Sequence, residues 1–132
     1  METGYLNTDL VIDSKDDLSP IVEAFGDRVL VLHHGEIGEC RHAAFELTAS
    51  GLEKDPETTI KNFCLLVESL PEEVREIWDA CGSRILDIGY ESGIAPFNFE
   101  SEISAATLQR VAGIGASIKV TIYAYREVND AQ

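Results

Sequence analysis

The stretch RILDIGYESGIAPFNFESEISAATLQRVAGIGASIKVTIYAY, residues 84–125, decides the fold. Leu86, Ile88 and Tyr90 alternate with Ile85, Asp87 and Gly89, the period-two pattern of a strand with one face buried. A turn-rich loop follows, and Ser101 offers a hydroxyl cap to a helix expected over Glu102 to Ala112. Gly113 is placed to end that helix, with Ile114 set for the apolar contact that accompanies such a stop. Ile118, Val120 and Ile122 then alternate with Lys119, Thr121 and Tyr123, so Ala116 to Tyr125 reads as a second, half-buried strand. The stretch is a complete β-loop-helix-β unit.

A fainter copy opens the chain. Leu6, Leu10 and Ile12 alternate with Asn7, Asp9 and Asp13, predicting a strand over Tyr5 to Ile12. Ser19 before Pro20 is a helix start, and Gly26 is a natural stop. Val29 to Leu32 is an apolar run suited to a central strand, and Arg41 to Thr48 reads as another strand with Ala43, Phe45 and Leu47 on one face. Ser50 to Lys54 reads as a loop. Asp55-Pro56-Glu57 repeats the helix-start chemistry, and Pro71 divides the following apolar stripe into two helices. The order is β-α-β-β-α-α-β-α-β, with two βαβ units whose right-handed crossovers place their helices on the same side. The expected fold is α+β: a single mixed five-stranded sheet with helices packed on one face, one domain over 1–132, and a frayed tail after Glu127.

Composition narrows the function classes. A chain of 132 residues, 45% apolar, suits one domain with an ordinary core. It has no apolar run long enough to span a membrane, and acidic residues stand where a signal peptide carries basic ones, so a cytoplasmic location is expected. Cys40, Cys64 and Cys81 are an odd set without metal-knuckle spacing, read as free thiols, with Cys64 and Cys81 as small core hydrophobes. Twenty-four acids against ten Lys and Arg give a net charge of −14, which repels nucleic-acid phosphates and attracts basic proteins. The simpler reading of the same charge is solubility.

Ile85-Leu86-Asp87-Ile88-Gly89-Tyr90, then Gly93, Phe97-Asn98-Phe99 and Ser101, then Leu108 to Tyr123, resemble the C-terminal half of a bacterial domain-of-unknown-function family (DUF4279-like). Asp16-Asp17-Leu18-Ser19-Pro20 is similar to that family's helix entry, and Phe45-Glu46-Leu47-Thr48 to its middle strand, without the tryptophan often seen there. The resemblance implies the fold. It implies no activity.

No motif carries catalysis. Ser14 and Ser92 lie outside any G-x-S-x-G elbow, and Gly113-Ile114-Gly115 follows a helix rather than opening one. The densest set of coordinating side chains is His33, His34, Cys40 and His42, with Glu36 and Glu39 between them, and a hairpin could bring His33 opposite His42 around a zinc. A polar hairpin edge explains the same residues. Acids gather along the middle helices at Glu53, Asp55, Glu57, Glu68, Glu72, Glu73, Glu76 and Asp79, and in a second cluster at Asp9, Asp13, Asp16 and Asp17 in the first strand and turn. These form either a solvated face or a docking surface. The loop Glu91 to Glu100, with Ile94, Phe97 and Phe99, either tucks its phenylalanines under the sheet or exposes them to a partner, the first being favoured.

The expectation is a non-catalytic acidic protein-binding module, in concrete form an immunity-type protein neutralising a basic toxin, with Glu91 and Phe97 joining the acids above. The alternative is a small metal-dependent enzyme or metal-binding regulator built on the His33–His42 cluster. A third reading is an oligomer, a homodimer for instance, formed through an exposed Tyr5–Ile12 edge strand.

Overall fold

The computed structural model describes residues 2–48 and 55–125; the loop expected at Ser50 to Lys54 and the tail expected after Glu127 lie outside them. Its elements follow the expected order: β1 (Gly4–Ser14), α1 (Ser19–Phe25), a 3-10 turn (Gly26–Arg28), β2 (Val29–Ile37), β3 (Cys40–Leu47), α2 (Pro56–Glu68), α3 (Glu72–Asp79), β4 (Ser83–Glu91), α4 (Ala105–Gly113) and β5 (Ser117–Tyr123). They build one mixed five-stranded sheet, ordered β2-β3-β1-β4-β5.

β1 lies at the centre, antiparallel to β4 along most of its length and to β3 over Leu10–Ser14. The edge strand expected at Tyr5–Ile12 is thus a central strand. β4, α4 and β5 make an adjacent parallel unit. β1 and β2 are also parallel to each other, but β3 inserts between them, antiparallel to both. This insertion pushes β2 to the rim. The central strand expected at Val29 to Leu32 is thus an edge strand, and Leu30, Val31 and Leu32 are exposed.

Alternation along β1 separates the two faces. Thr8, Leu10, Ile12 and Ser14 are buried under the helices, while Asp9, Val11 and Asp13 lie half-buried on the uncovered side. A register shift between Tyr5 and Asn7 breaks the phase, so Leu6 is exposed rather than in the core. Tyr5 packs against Tyr90 in its place, ring centroids 6.0 Å apart. Leu10, Ile12, Leu86 and Ile88 from the sheet meet Ile21, Phe25, Ile60, Phe63, Val67 and Trp78 from the helices. Cys64 and Cys81 are buried among them, and burial pushes the Cys64 thiol up to about 11. Both behave as packing residues.

The helix starts match the expected ones in part. Asp55 caps α2 by accepting the Thr58 N–H at 2.8 Å, and Pro71 separates α2 from α3. Ser19 does not cap α1 but opens it, donating its N–H and hydroxyl to Asp17 at 3.0 and 2.8 Å. Ser104, not Ser101, caps α4 by accepting the Thr107 N–H at 3.2 Å. Ser101 instead accepts the Tyr90 hydroxyl at 2.7 Å, and Glu57 at the start of α2 accepts the Ser104 N–H.

Arg84 joins the ends of α3 and α4. Its Nη1 donates to the carbonyls of Trp78, Asp79 and Cys81 at 3.1, 3.1 and 2.8 Å, and its Nε to Gly115 at 2.8 Å. Trp78 adds a buried bond from Nε1 to the Ile114 carbonyl at 2.8 Å. Gly115 has φ +72°, and a Cβ there would sit 2.9 Å from the Arg84 guanidinium. Arg84→Ala is expected to cost about 2 kcal/mol in urea unfolding, because it leaves several helix-end carbonyls unpaired. Arg84→Lys should recover less than half of that, since an ammonium lacks the planar fork that reaches both helices.

Candidate functional site

Among the described residues, the four helices lie on one side of the sheet and none covers the other. Strand pairing arranges the open side in transverse rows. Asp9, Asp87 and Lys119 form one row, continued on the β3 side by Glu46, which is near enough to act on the Asp9 carboxyl, and by its partner Leu30. The next runs through His33, Ala44, Val11, Ile85 and Ser117. Glu46, Asp9 and Asp87 therefore stand side by side across the three inner strands, beside a row of small and apolar side chains.

Neighbouring side chains on one sheet face lie about 5 Å apart, close enough for like charges to repel. Partial burial pushes the Asp9 carboxyl up to about 6, with the charges of Glu46 and Asp87 adding to the effect. Asn7 Nδ2 donates to Asp9 at 3.4 Å, and the Thr121 hydroxyl to Asp87 at 2.7 Å. Among the described residues, no Lys or Arg forms an ion pair with any of the three acids, although Lys119 follows Asp87 in the row. The row lies away from the hollows at Tyr90–Val120 and Asp13–Cys40.

Several of the acids expected to dock a partner are used within the fold. Glu68 holds Arg110 through two bonds, at 3.1 and 2.7 Å, and those bonds keep its carboxyl below the usual range. Asp79 pairs with Arg75 at 3.0 Å. Asp17 accepts from Ser19, which lowers its pKa, and lies 3.9 Å from Arg41. Asp16 donates its N–H to Ser14 Oγ at 3.0 Å and keeps an exposed side chain. Glu72, Glu73 and Glu76 are exposed on α3, on the helix side of the molecule, and Glu91 is half-buried at the end of β4.

The histidine cluster comes together only in part. His33 and His42 share the open face, their Nδ1 atoms 2.8 Å apart and ring centroids 4.8 Å apart. His34 pairs with buried-side Ala43 and so belongs to the opposite face, as alternation requires, while Cys40 is exposed at the hairpin end opposite Ile37. Among the described residues, no three His, Cys, Asp or Glu side chains converge as a metal set. None of the described helices is long and apolar enough to cross a membrane.

The loop between β4 and α4 divides its phenylalanines. Phe99 packs edge-on against Tyr90 at 5.7 Å, whereas Phe97 is fully exposed, so only one of the two tucks in. Thr3 ties the loop to the N-terminal segment, donating its N–H to Ala95 and accepting from Gly93, both at 2.8 Å. Beside the loop, Val120 and Ile122 lie on the covered side of the sheet but remain 53% and 65% exposed, because the helix layer ends near Ile118. The half-buried strand expected at β5 is therefore open. Val120, Ile122, Tyr90, Phe99 and Ser101 line a groove of about 360 Å³.

No protein family, curated protein or solved structure was found to match the chain.

The acid row gives a stability prediction. Asp9 binds its proton more tightly folded, near 6, than unfolded, near about 4. Its favourable contribution is complete below the unfolded value and is lost as pH rises through about 6. Asp9→Asn should therefore stabilise the protein at pH ~7.5 by on the order of 1 kcal/mol, allowing for solvent screening at a half-open site, and have little effect at pH ~3. Urea midpoints at the two pH values measure this.

Proposed function

We propose that the protein is a non-catalytic, cytoplasmic binding module whose acidic surface takes a basic protein partner. In its concrete form it is an immunity-type protein that covers the cationic site of a toxin such as a nuclease. The observation that supports this reading is the unneutralised row Glu46–Asp9–Asp87 across an uncovered sheet face. A Lys or Arg placed over Asp9 would offset both its desolvation and the repulsion from its neighbours. The half-buried Val11 and Ile85 supply apolar area next to it. Glu72, Glu73 and Glu76, on the other side, add long-range attraction rather than contacts, and reversing their charge should slow association.

The metal-enzyme alternative has the His33–His42 pair as its support. Stoichiometric zinc in untagged protein, lost on His42→Ala, would favour it.

Immobilised protein and its Asp9→Asn/Glu46→Gln/Asp87→Asn variant are compared as baits for lysate of the source organism, eluted with a salt gradient. The wild type should retain a basic protein that salt releases and whose affinity falls at least about tenfold for the variant. Equal retention by both baits, or binding indifferent to salt, would overturn the proposal.

A further inference from the structure

We infer that the free edge of β5, with the groove beneath it, binds an extended segment of a protein partner by adding it to the sheet as a sixth strand. The segment is apolar at alternate positions and flanked by Lys or Arg. The inference borrows from the acidic-module reading only the sign of the partner's charge; the site is a different one.

Strand direction and hydrogen bonding determine what the edge offers. Tyr123 directs its carbonyl inward, where it accepts the Ser92 N–H at 2.9 Å. In an extended strand, the N–H and C=O of one residue point the same way and those of the next point oppositely. Tyr123, Thr121 and Lys119 therefore face β4, while Ile118, Val120 and Ile122 present both backbone groups to the outer edge. Among the described residues, no backbone bond from outside the strand pair reaches them. An incoming strand would meet an uninterrupted ladder of donors and acceptors.

The groove supplies side-chain selection. Val120 and Ile122 project to the side where the helix layer has ended, so alternate side chains of an added strand would fall against them, Phe99 and Tyr90. The hollow continues from Phe99 and Ser101 to Glu100 and Glu102, with Glu91 at the end of β4. Apolar ground edged by carboxylates fits an apolar segment with basic flanks. A second copy fits poorly, because two chains of net charge −14 would bring these acids together.

The opposite edge is less suited. β2 carries a register shift between Val31 and His33, the kind of irregularity that blocks strand addition, whereas β5 pairs with β4 in unbroken register.

The test uses the full chain labelled with ¹⁵N and a synthetic peptide of about ten residues, Val and Ile alternating with Ser, with two Lys at each end. A counterpart carries Glu in place of Lys. The Lys peptide should give saturable shifts and slowed amide exchange at Ile118, Val120 and Ile122, and the Glu peptide should bind at least about tenfold more weakly. Val120→Pro removes an outward N–H without breaking the ladder to β4, a change edge strands tolerate. Ile122→Ser removes groove wall at an exposed position. Each should weaken the Lys peptide about tenfold while leaving the rest of the spectrum in place. Equal binding of both peptides, or shifts confined to the Asp9 row, would overturn the inference. So would self-association that Val120→Pro abolishes, which would make a second copy the occupant. A Val120→Pro bait that still captures the salt-released basic protein, while no peptide binds the edge, would sink this site and leave the acid-row reading standing.

Discussion

The structure depends on the two-residue alternation of β1. This strand pairs on both sides, and its even-numbered positions from Thr8 to Ser14 meet the helices while its odd-numbered positions face away. A slip of one residue would place Asp9 and Asp13 in the core and expose Leu10 and Ile12, so the register is fixed by the cost of burying charge. Because all four helices lie on one side, the other side of the sheet has to be compatible with water. Acids provide that compatibility, and at the centre of the sheet they come close enough to perturb one another.

The second constraint is the reach of the helix layer. Arg84 and Trp78 lock the ends of α3 and α4 together, and Val111 and Ile114 at the end of α4 enter the core, against which Ile118 packs. Among the described residues, no helix covers the ground beyond Ile118. The loop from Ser92 to Ser104 partly fills the gap by laying Phe99 on Tyr90 and leaves the rest as a groove beside an unpaired edge. Two surfaces thus follow from one geometry: an acidic open face and an apolar, acid-rimmed edge.

Periodicity and helix-start chemistry made much of the fold legible in the sequence. The alternation of Leu86, Ile88 and Tyr90, the Asp55-Pro56 start and the break at Pro71 all correspond to observed elements. Strand order was not legible, because it depends on β3 inserting between β1 and β2, a long-range pairing that no local pattern records. For that reason the apolar Val29 to Leu32 was expected at the centre and lies at the rim. The register shift after Tyr5 and the cap at Ser104 were hidden for a related reason: Ser101 and Ser104 are equally good caps locally, and the Tyr90 hydroxyl and Glu57 decide between them. Asp9 stands out in the sequence as part of an acidic cluster, but its place beside Asp87 and Glu46 does not, although the outward phase of Asp9 and Asp87 is readable. Only strand register places Asp87 beside Asp9, and charge counting directed attention to the denser acids of α2 and α3, of which Glu68 and Asp79 are already paired.

The central claim is that the open sheet face holds an acid row in need of a cation. A ¹³C-carboxyl NMR titration of Asp9, run on the protein alone and saturated with the captured basic partner, tests it most directly. The free carboxyl should titrate at about 6 and move well down toward the ordinary carboxylate range when the partner is bound. An Asp9 that already titrates near about 4 in the free protein, or one that the partner leaves unmoved, would contradict it.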